Sequence, residues 1–146
     1  MSMMTDELPS ILLVEDDEID RMVVKRAFAK NNITNPLLIA RDGEEAYEHL
    51  KGINGNAKYE NMPKIMLLDI NMPRMNGLEL LSAIRDDEDL KTISVFMLTT
   101  SKDDHDRLEA YKKNVAGYII KPVSFDKLVE AIGVLNSYWN LSVLPD

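Results

Sequence analysis

Cysteine is absent from the 146 residues, which removes disulfides, thiolate metal sites and cysteine nucleophiles together. An excess of positive charge is absent too. Seventeen Lys and Arg stand against 25 Asp and Glu, a formal charge of −8, which argues against non-specific nucleic-acid binding while leaving room for partners with a basic patch. No apolar run approaches the ~20 residues that span a bilayer. Met1 to Pro9 is polar and acidic rather than signal-like, so a soluble, cytoplasmic protein with no membrane partner is expected. Neither a glycine-rich phosphate loop nor a G-x-S-x-G elbow occurs. The two histidines, His49 and His105, fall on helical stretches among charged residues, where solvation is expected and no metal-ligand spacing exists. What remains, 45% hydrophobic and 29% charged, is the composition of one globular domain long enough to bury a core.

Short apolar runs alternate with helical patterns. Ile11–Val14, Leu37–Ala40, Ile65–Leu68, Val95–Leu98 and Tyr118–Ile120 have strand length. After the first run, Ile19, Met22, Val23 and Ala27 recur at helical spacing, with Asp16 or Asp17 placed to cap the start and Asn31-Asn32 to end it. Asp42-Gly43 turns into a helix carrying Ala46, Tyr47 and Leu50, and the Gly- and Asn-rich stretch 52–63 is a loop. Further helices are expected over Leu78–Arg85 and Asp104–Lys113, and from near Ser124, the last burying Phe125, Leu128, Val129, Ile132 and Leu135. Five strand-then-helix units predict a parallel sheet, because parallel strands need crossovers. Their unbroken rather than alternating apolar character predicts a sheet covered on both faces. The division is a flexible N-terminal segment over 1–9, one domain over 10–139 and a tail over 140–146.

Each of four strands ends in chemistry: Glu15-Asp16-Asp17, Asp69, Thr99 and Lys121. In one parallel sheet these groups converge on the carboxyl edge, where such sheets place their ligands. Taken singly, each has an ordinary explanation. An Asp closing a strand forms turns, acids favour a helix N-terminus, and threonine suits strands. Together they differ, because Asp69 held near Glu15 and Asp16 forces either proton uptake or cation binding. Magnesium suits an open set of one or two carboxylates, a carbonyl, waters and a phosphate oxygen. Lys121, at a buried strand end, needs a carboxylate partner. A hydroxyl and an ammonium beside such a cation supply the charge stabilisation that phosphoryl transfer requires.

In order, these motifs resemble the receiver domains of two-component response regulators, over about Ser10 to Leu135. The residues that carry the resemblance are Ile-Leu-Leu-Val-Glu15-Asp16-Asp17, Leu-Leu-Asp69-Ile-Asn71-Met-Pro73-Arg-Met-Asn-Gly77, Met-Leu-Thr99-Thr100-Ser101 and Gly117-Tyr118-Ile-Ile-Lys121-Pro122. The intervals of 30 and 52 residues from Asp69 to Thr99 and to Lys121 suit that family. The resemblance implies a flavodoxin-like (βα)5 sheet of strand order 2-1-3-4-5. It implies Asp69 as acceptor of a phosphoryl group from a kinase phosphohistidine, with Glu15, Asp16, Asp69 and the Asn71 carbonyl holding Mg2+. Thr99 and Lys121 would bind the phosphoryl oxygens, and Thr99 and Tyr118 would act as the switch pair. Such a receiver catalyses its own phosphorylation and dephosphorylation rather than conventional turnover.

Two further implications concern neighbours of the site. Asn71 and Ser101 occupy positions that in the family tune the lifetime of the phosphoryl group, and the peptide before the proline matching Pro122 is often cis. Asn114-Val115 departs from the usual Gly-Ala, which Asn tolerates because it accepts a left-handed turn. The 52–63 loop and the ending Tyr138-Trp139-Asn-Leu-Ser-Val-Leu-Pro145 resemble single-domain regulators paired with phytochrome-type kinases. The implied partners are therefore a sensor histidine kinase or a histidine phosphotransfer protein, and a separate downstream protein. A second copy is a further candidate, through the fourth helix, fifth strand and fifth helix. Trp139 and exposed apolar residues of the last helix are contact candidates, against which stands burial of Trp139 in the core. Three alternatives remain open at this stage. An aspartyl phosphatase would want an acid at the position of Asn71. A flavin module would be repelled by Glu15-Asp16-Asp17. The third is a receiver that only binds partners.

Overall fold

The computed structural model describes residues 8–142 and 144–145, so the flexible segment expected over 1–9 lies outside them except for its last two residues. Five strands and five helices alternate: β1 (Ile11–Val14), α1 (Glu18–Lys30), β2 (Leu37–Ala40), α2 (Gly43–Lys51), β3 (Ile65–Leu68), α3 (Gly77–Arg85), β4 (Ser94–Thr99), α4 (Asp104–Lys112), β5 (Gly117–Ile120) and α5 (Phe125–Leu141). All pairings are parallel, as the strand-then-helix alternation implied, and the sheet order is β2-β1-β3-β4-β5, as the family resemblance implied. The first two residues of the expected tail, Asn140 and Leu141, continue α5.

The strand residues divide by parity. Leu12, Val14, Met66, Leu68, Val95 and Met97 point into one core, shared with Leu50, Leu80, Leu81 and Ile84 from α2 and α3. Ile11, Leu13, Ile65, Leu67, Phe96 and Leu98 point into the other, shared with Val24, Ala27, Phe28, Leu128, Ile132 and Leu135 from α1 and α5. Burying both faces is why the strands carry no polar alternation.

On α1 the structure corrects the sequence pattern. Ile19 and Met22 are 70% and 55% exposed, and the buried positions are Val24, Ala27 and Phe28. Of the expected stripe, Ala27 and the partly buried Val23 face the core, whereas Ile19 and Met22 lie off the face that meets α5. On α5, Phe125 and Val129 are only partly buried, while Trp139 is buried near Phe28 and Phe96, with ring centroids 6.4 and 6.3 Å away. Trp139 therefore belongs to the core, and the exposed apolar residues of α5 are Val134, Tyr138 and Leu141.

The helices start and stop where short polar residues say they should. Asp17, Asp42, Asn76, Asp103 and Ser124 each accept a backbone N–H of the helix that follows. Asn32 and Asn114 take left-handed backbone angles, φ +55° and +59°, so the Asn114 departure is accommodated as expected. No cis peptide occurs among the described residues, so the bond before Pro122 is trans, against the expectation from resemblance. Among those residues no helix is long and apolar enough to cross a membrane.

Candidate functional site

Register builds the site. Val14 pairs with Leu68, so the next residues of β1 and β3, Glu15 and Asp69, leave the sheet side by side. The Asp69 N–H donates to the Val14 carbonyl at 3.2 Å, and the Glu15 N–H to the Ala40 carbonyl at 3.1 Å. Because the chain steps from β1 outward to β2 and then back to β3, this is the point where strand order reverses and a crevice opens. One carboxylate oxygen from each of Glu15, Asp16 and Asp69 lies within 4.8 Å of the others. Glu15 and Asp69 are buried and Asp16 is exposed, so the cluster has a floor and an open side.

Local bonds hold each acid. Glu15 Oε2 accepts from the Asp17 N–H, and Arg21 Nη1 donates to the carbonyls of both Glu15 and Asp16 at 2.9 Å, fixing the loop between β1 and α1. Asp69 Oδ1 accepts from the N–H of Ile70 at 2.8 Å. The loop after β3 folds back so closely that a Cβ on Gly77 would lie 2.1 Å from the Asp69 carbonyl oxygen, which only glycine permits. Asn71 sits exposed on that loop.

Lys121 enters from β5, its N–H bonded to the Thr99 carbonyl at 2.8 Å. Its ammonium is 2.5 Å from Glu15 Oε1, 2.9 Å from Asp20 Oδ2 and 3.6 Å from Asp69 Oδ2. The carboxylate partner required by burial is thus present, and twice over. Asp20 had no signal of its own in the sequence, because an acid in a first helical turn is ordinary there. Arg21 was missed for a similar reason, since what it binds is backbone.

Burial pushes the Glu15 carboxyl up to about 7, with the Asp69 charge adding to the effect and the Lys121 hydrogen bond opposing it. Burial pulls Lys121 down, but its bonds to Glu15 and Asp20 and the Asp69 charge outweigh that and hold its pKa above an ordinary lysine's. The result is a pocket in which negative charge is under-compensated. All its donors are carboxylate oxygens, hard ligands that suit magnesium, manganese or calcium rather than zinc or copper. The residues present therefore fit a divalent cation.

Thr99 closes the site from β4 and is fully buried. Its Oγ1 accepts from the Ser101 N–H at 3.1 Å, which leaves its own proton free to donate. Ser101 Oγ donates to Asp106 on α4 at 2.8 Å, and Tyr118 Oη donates to the Ser101 carbonyl at 3.0 Å. Burial pushes the Tyr118 phenol up. Glu15, Asp16, Asp69 and Lys121 thus meet at one edge, where Thr99 ends β4 beside them, and Tyr118 lies on β5, the strand that Lys121 follows.

Of the two histidines, His105 is exposed. His49 is half-buried, stacked on Tyr59 with its Nδ1 2.8 Å from the Ala57 carbonyl, rather than simply solvated. A cleft of about 350 Å3 beside Leu50, Lys51, Met62, Pro63 and Ile93 shares no residue with the acidic cluster.

Comparison with known proteins agrees with this geometry. The family described as "Response regulator receiver domain" matches residues 11–133. The probable methanogenesis regulatory protein FilR2 of Methanothrix harundinacea is 38% identical over 129 residues, 88% of this chain and 82% of that protein. Response regulator Rcp1 of Synechocystis is 35% identical over 131 residues, 88% and 87% of the two chains. The crystal structure of the Mn2+-bound form of Rcp1 superposes with a TM-score of 0.84 at 34% identity, covering 95% of this chain and 100% of that one. The phosphorylated cyanobacterial phytochrome response regulator RcpA gives 0.86 at 31% identity, covering 94% and 99%.

Proposed function

The chain belongs to the response-regulator receiver family, and from that premise we propose that Asp69 accepts a phosphoryl group from the phosphohistidine of a sensor histidine kinase or a histidine phosphotransfer protein. The observation that carries this reading is the convergence of Glu15, Asp16, Asp69 and Lys121 at one sheet edge. An oxygen of the Asp69 carboxylate attacks phosphorus; the new O–P bond forms as the P–N bond breaks, and the imidazole nitrogen keeps the electron pair and takes up a proton. Lys121 neutralises one phosphoryl oxygen and the Thr99 hydroxyl donates to another, so the chain's own groups position and stabilise rather than react. Mg2+ held by Glu15, Asp16, Asp69 and the Asn71 carbonyl supplies further positive charge at the phosphoryl oxygens.

Signalling follows from the same groups. Drawing Thr99 toward the phosphoryl group removes the acceptor of the Ser101 N–H, and with it one support of the segment that Tyr118 and α4 also hold. A second arrangement of that side is then favoured and read by a separate partner. The phytochrome response regulator RcpA among the similar structures makes a phytochrome-type kinase the first donor to try, and a cytoplasmic setting is part of the same reading. Exposed Leu108 and Tyr111 on α4, with Val134 and Tyr138 on α5, offer surface for a second copy on the α4-β5-α5 side.

The test is labelling by a small phosphodonor such as acetyl phosphate with Mg2+. Label is expected on Asp69 and should be lost in Asp69→Asn; label that persists in that variant puts the acceptor elsewhere.

A further inference from the structure

A residue outside the acidic cluster holds a backbone conformation that its type disfavours. Arg74, at the tip of the loop between β3 and α3, has φ +62°, a left-handed angle that a residue with a Cβ adopts only at a cost. Such strain persists only where the surroundings over-determine it, and it gathers at functional sites. Here the surroundings are specific. The Arg74 guanidinium pairs with Asp42, whose side chain is 6% exposed although the arginine's is 59% exposed. One residue on, the Met75 carbonyl accepts from the Gly43 N–H at 3.2 Å, so close that a Cβ on Gly43 would lie 2.5 Å from that oxygen. At the other end the Gly77 N–H donates to the Ile70 carbonyl at 2.9 Å. The loop is therefore closed at its base and tied at its tip to the start of α2. Between those ties lies Asn71.

Asp42 is also the cap of α2, accepting the Glu45 N–H at 2.8 Å. That bond needs one oxygen and no particular partner for the other. A nearly buried carboxylate needs a cation, and the chain meets that need from the loop beside Asp69 rather than from α2 itself.

We propose that the Arg74–Asp42 pair is a positioning clamp: it holds the loop that follows Asp69 so that the Asn71 carbonyl faces the divalent cation. This rests on the cation reading of the acidic cluster given above. Arg74 and Asp42 touch neither the cation nor the phosphoryl group; they act through the backbone between them. Losing an outer support of a metal ligand weakens metal affinity by about 10–100-fold.

Three variants separate positioning from plain stability. Arg74→Gly removes the guanidinium and relieves the left-handed strain while leaving the Asp42 carboxylate without its cation, so a merely structural role predicts a shifted melting temperature with unchanged metal binding. Asp42→Asn keeps the helix cap and loses the charge. Arg74→Lys restores a cation without the fork. The full chain is titrated calorimetrically with Mn2+, and the melting temperature of each variant is recorded beside it. Expected is Mn2+ binding weakened about tenfold in Arg74→Gly and Asp42→Asn and partly recovered in Arg74→Lys, with the melting temperatures showing each variant folded at the temperature of the titration. Parent-like Mn2+ affinity in Arg74→Gly and Asp42→Asn overturns the clamp while the cation site stands. A parent that binds no Mn2+, or an Asp69→Asn variant that binds it as well as the parent, overturns the cation reading and the clamp together.

Discussion

Helices α3 and α4 are each nine residues long and lie on the same face of the sheet, yet different forces hold them. α3 turns Leu80, Leu81 and Ile84 into the core and starts with a reciprocal cap, Asn76 accepting the Glu79 N–H while Glu79 accepts the Asn76 N–H. α4 buries Ala110 alone and leaves Leu108 and Tyr111 about half exposed. Beyond Ala110 and the Tyr111 ring, 6.5 Å from that of Tyr118, its attachments are polar and sit toward its ends. Asp103 caps it, Ser101 Oγ bonds Asp106, and Arg85 from α3 donates to the carbonyls of Lys113 and Asn114 beyond its last turn. Apolar burial is non-directional and tolerates small shifts, whereas a few hydrogen bonds weaken steeply when their geometry changes. The difference teaches which element can move. α4 has little local packing to lose, and its N-terminal bonds lead through Ser101 to Thr99 in the site. α3 is fixed.

The strongest way to break this comparison is truncation. Leu81→Ala on α3 should destabilise the domain by about 2–5 kcal/mol, whereas Leu108→Ala on α4 should stay within about 0.5 kcal/mol of the parent. Urea unfolding reads both, and similar losses at the two positions would show that α4 is packed after all.

A pH series loads the site without touching either helix. Because Glu15 sits near 7 in the folded chain against its ordinary 4.5, the folded state binds more protons in that window. Stability of the metal-free protein should then fall as pH rises from 4.5 through 7, the favourable contribution being complete below that range and gone above it. Lys121 is raised as well, so its contribution is present throughout this window and is lost only in strong alkali. Glu15→Gln should flatten the slope, and Mg2+, which prefers the ionised acids, should reverse it. A slope unchanged in Glu15→Gln would assign it to other groups.

The smallest effect sharpens the comparison most. Ser101→Ala removes the bond to Asp106 and the longer one from the Asp103 N–H and should lower global stability by only about 0.5–1.5 kcal/mol, yet it should speed amide hydrogen exchange across α4 while leaving α3 protected. Equal acceleration in both helices would mean that Ser101 does not hold α4 in particular.

Much of this was legible beforehand, for reasons that differ by element. Strands buried on both faces must be apolar at every position, so Ile11–Val14, Leu37–Ala40 and Ile65–Leu68 match the structure to the residue. Caps are local chemistry, which is why the helix starts near Asp17, Asp42 and Ser124 were readable. Helix faces are not local. Ile19 and Met22 fit a helical stripe as well as Val24 and Phe28 do, and only the position of α5 decided which were covered. Asp20, Arg21 and the pairing of Arg74 with Asp42 carried no pattern in the sequence, because the partners are distant in sequence or are backbone groups.

By itself the order of residues determined the alternation of strands and helices and placed an acid, hydroxyl or amine at or just beyond four strand ends, since both depend on neighbours within a few positions. Tertiary structure alone decided the rest. It set the register that puts Glu15 beside Asp69, the double pairing of Lys121, the burial that lifts Glu15, and the arginine that pins the neighbouring loop. Those depend on how far apart groups lie in space and on how much water remains between them, and neither quantity is written along a chain.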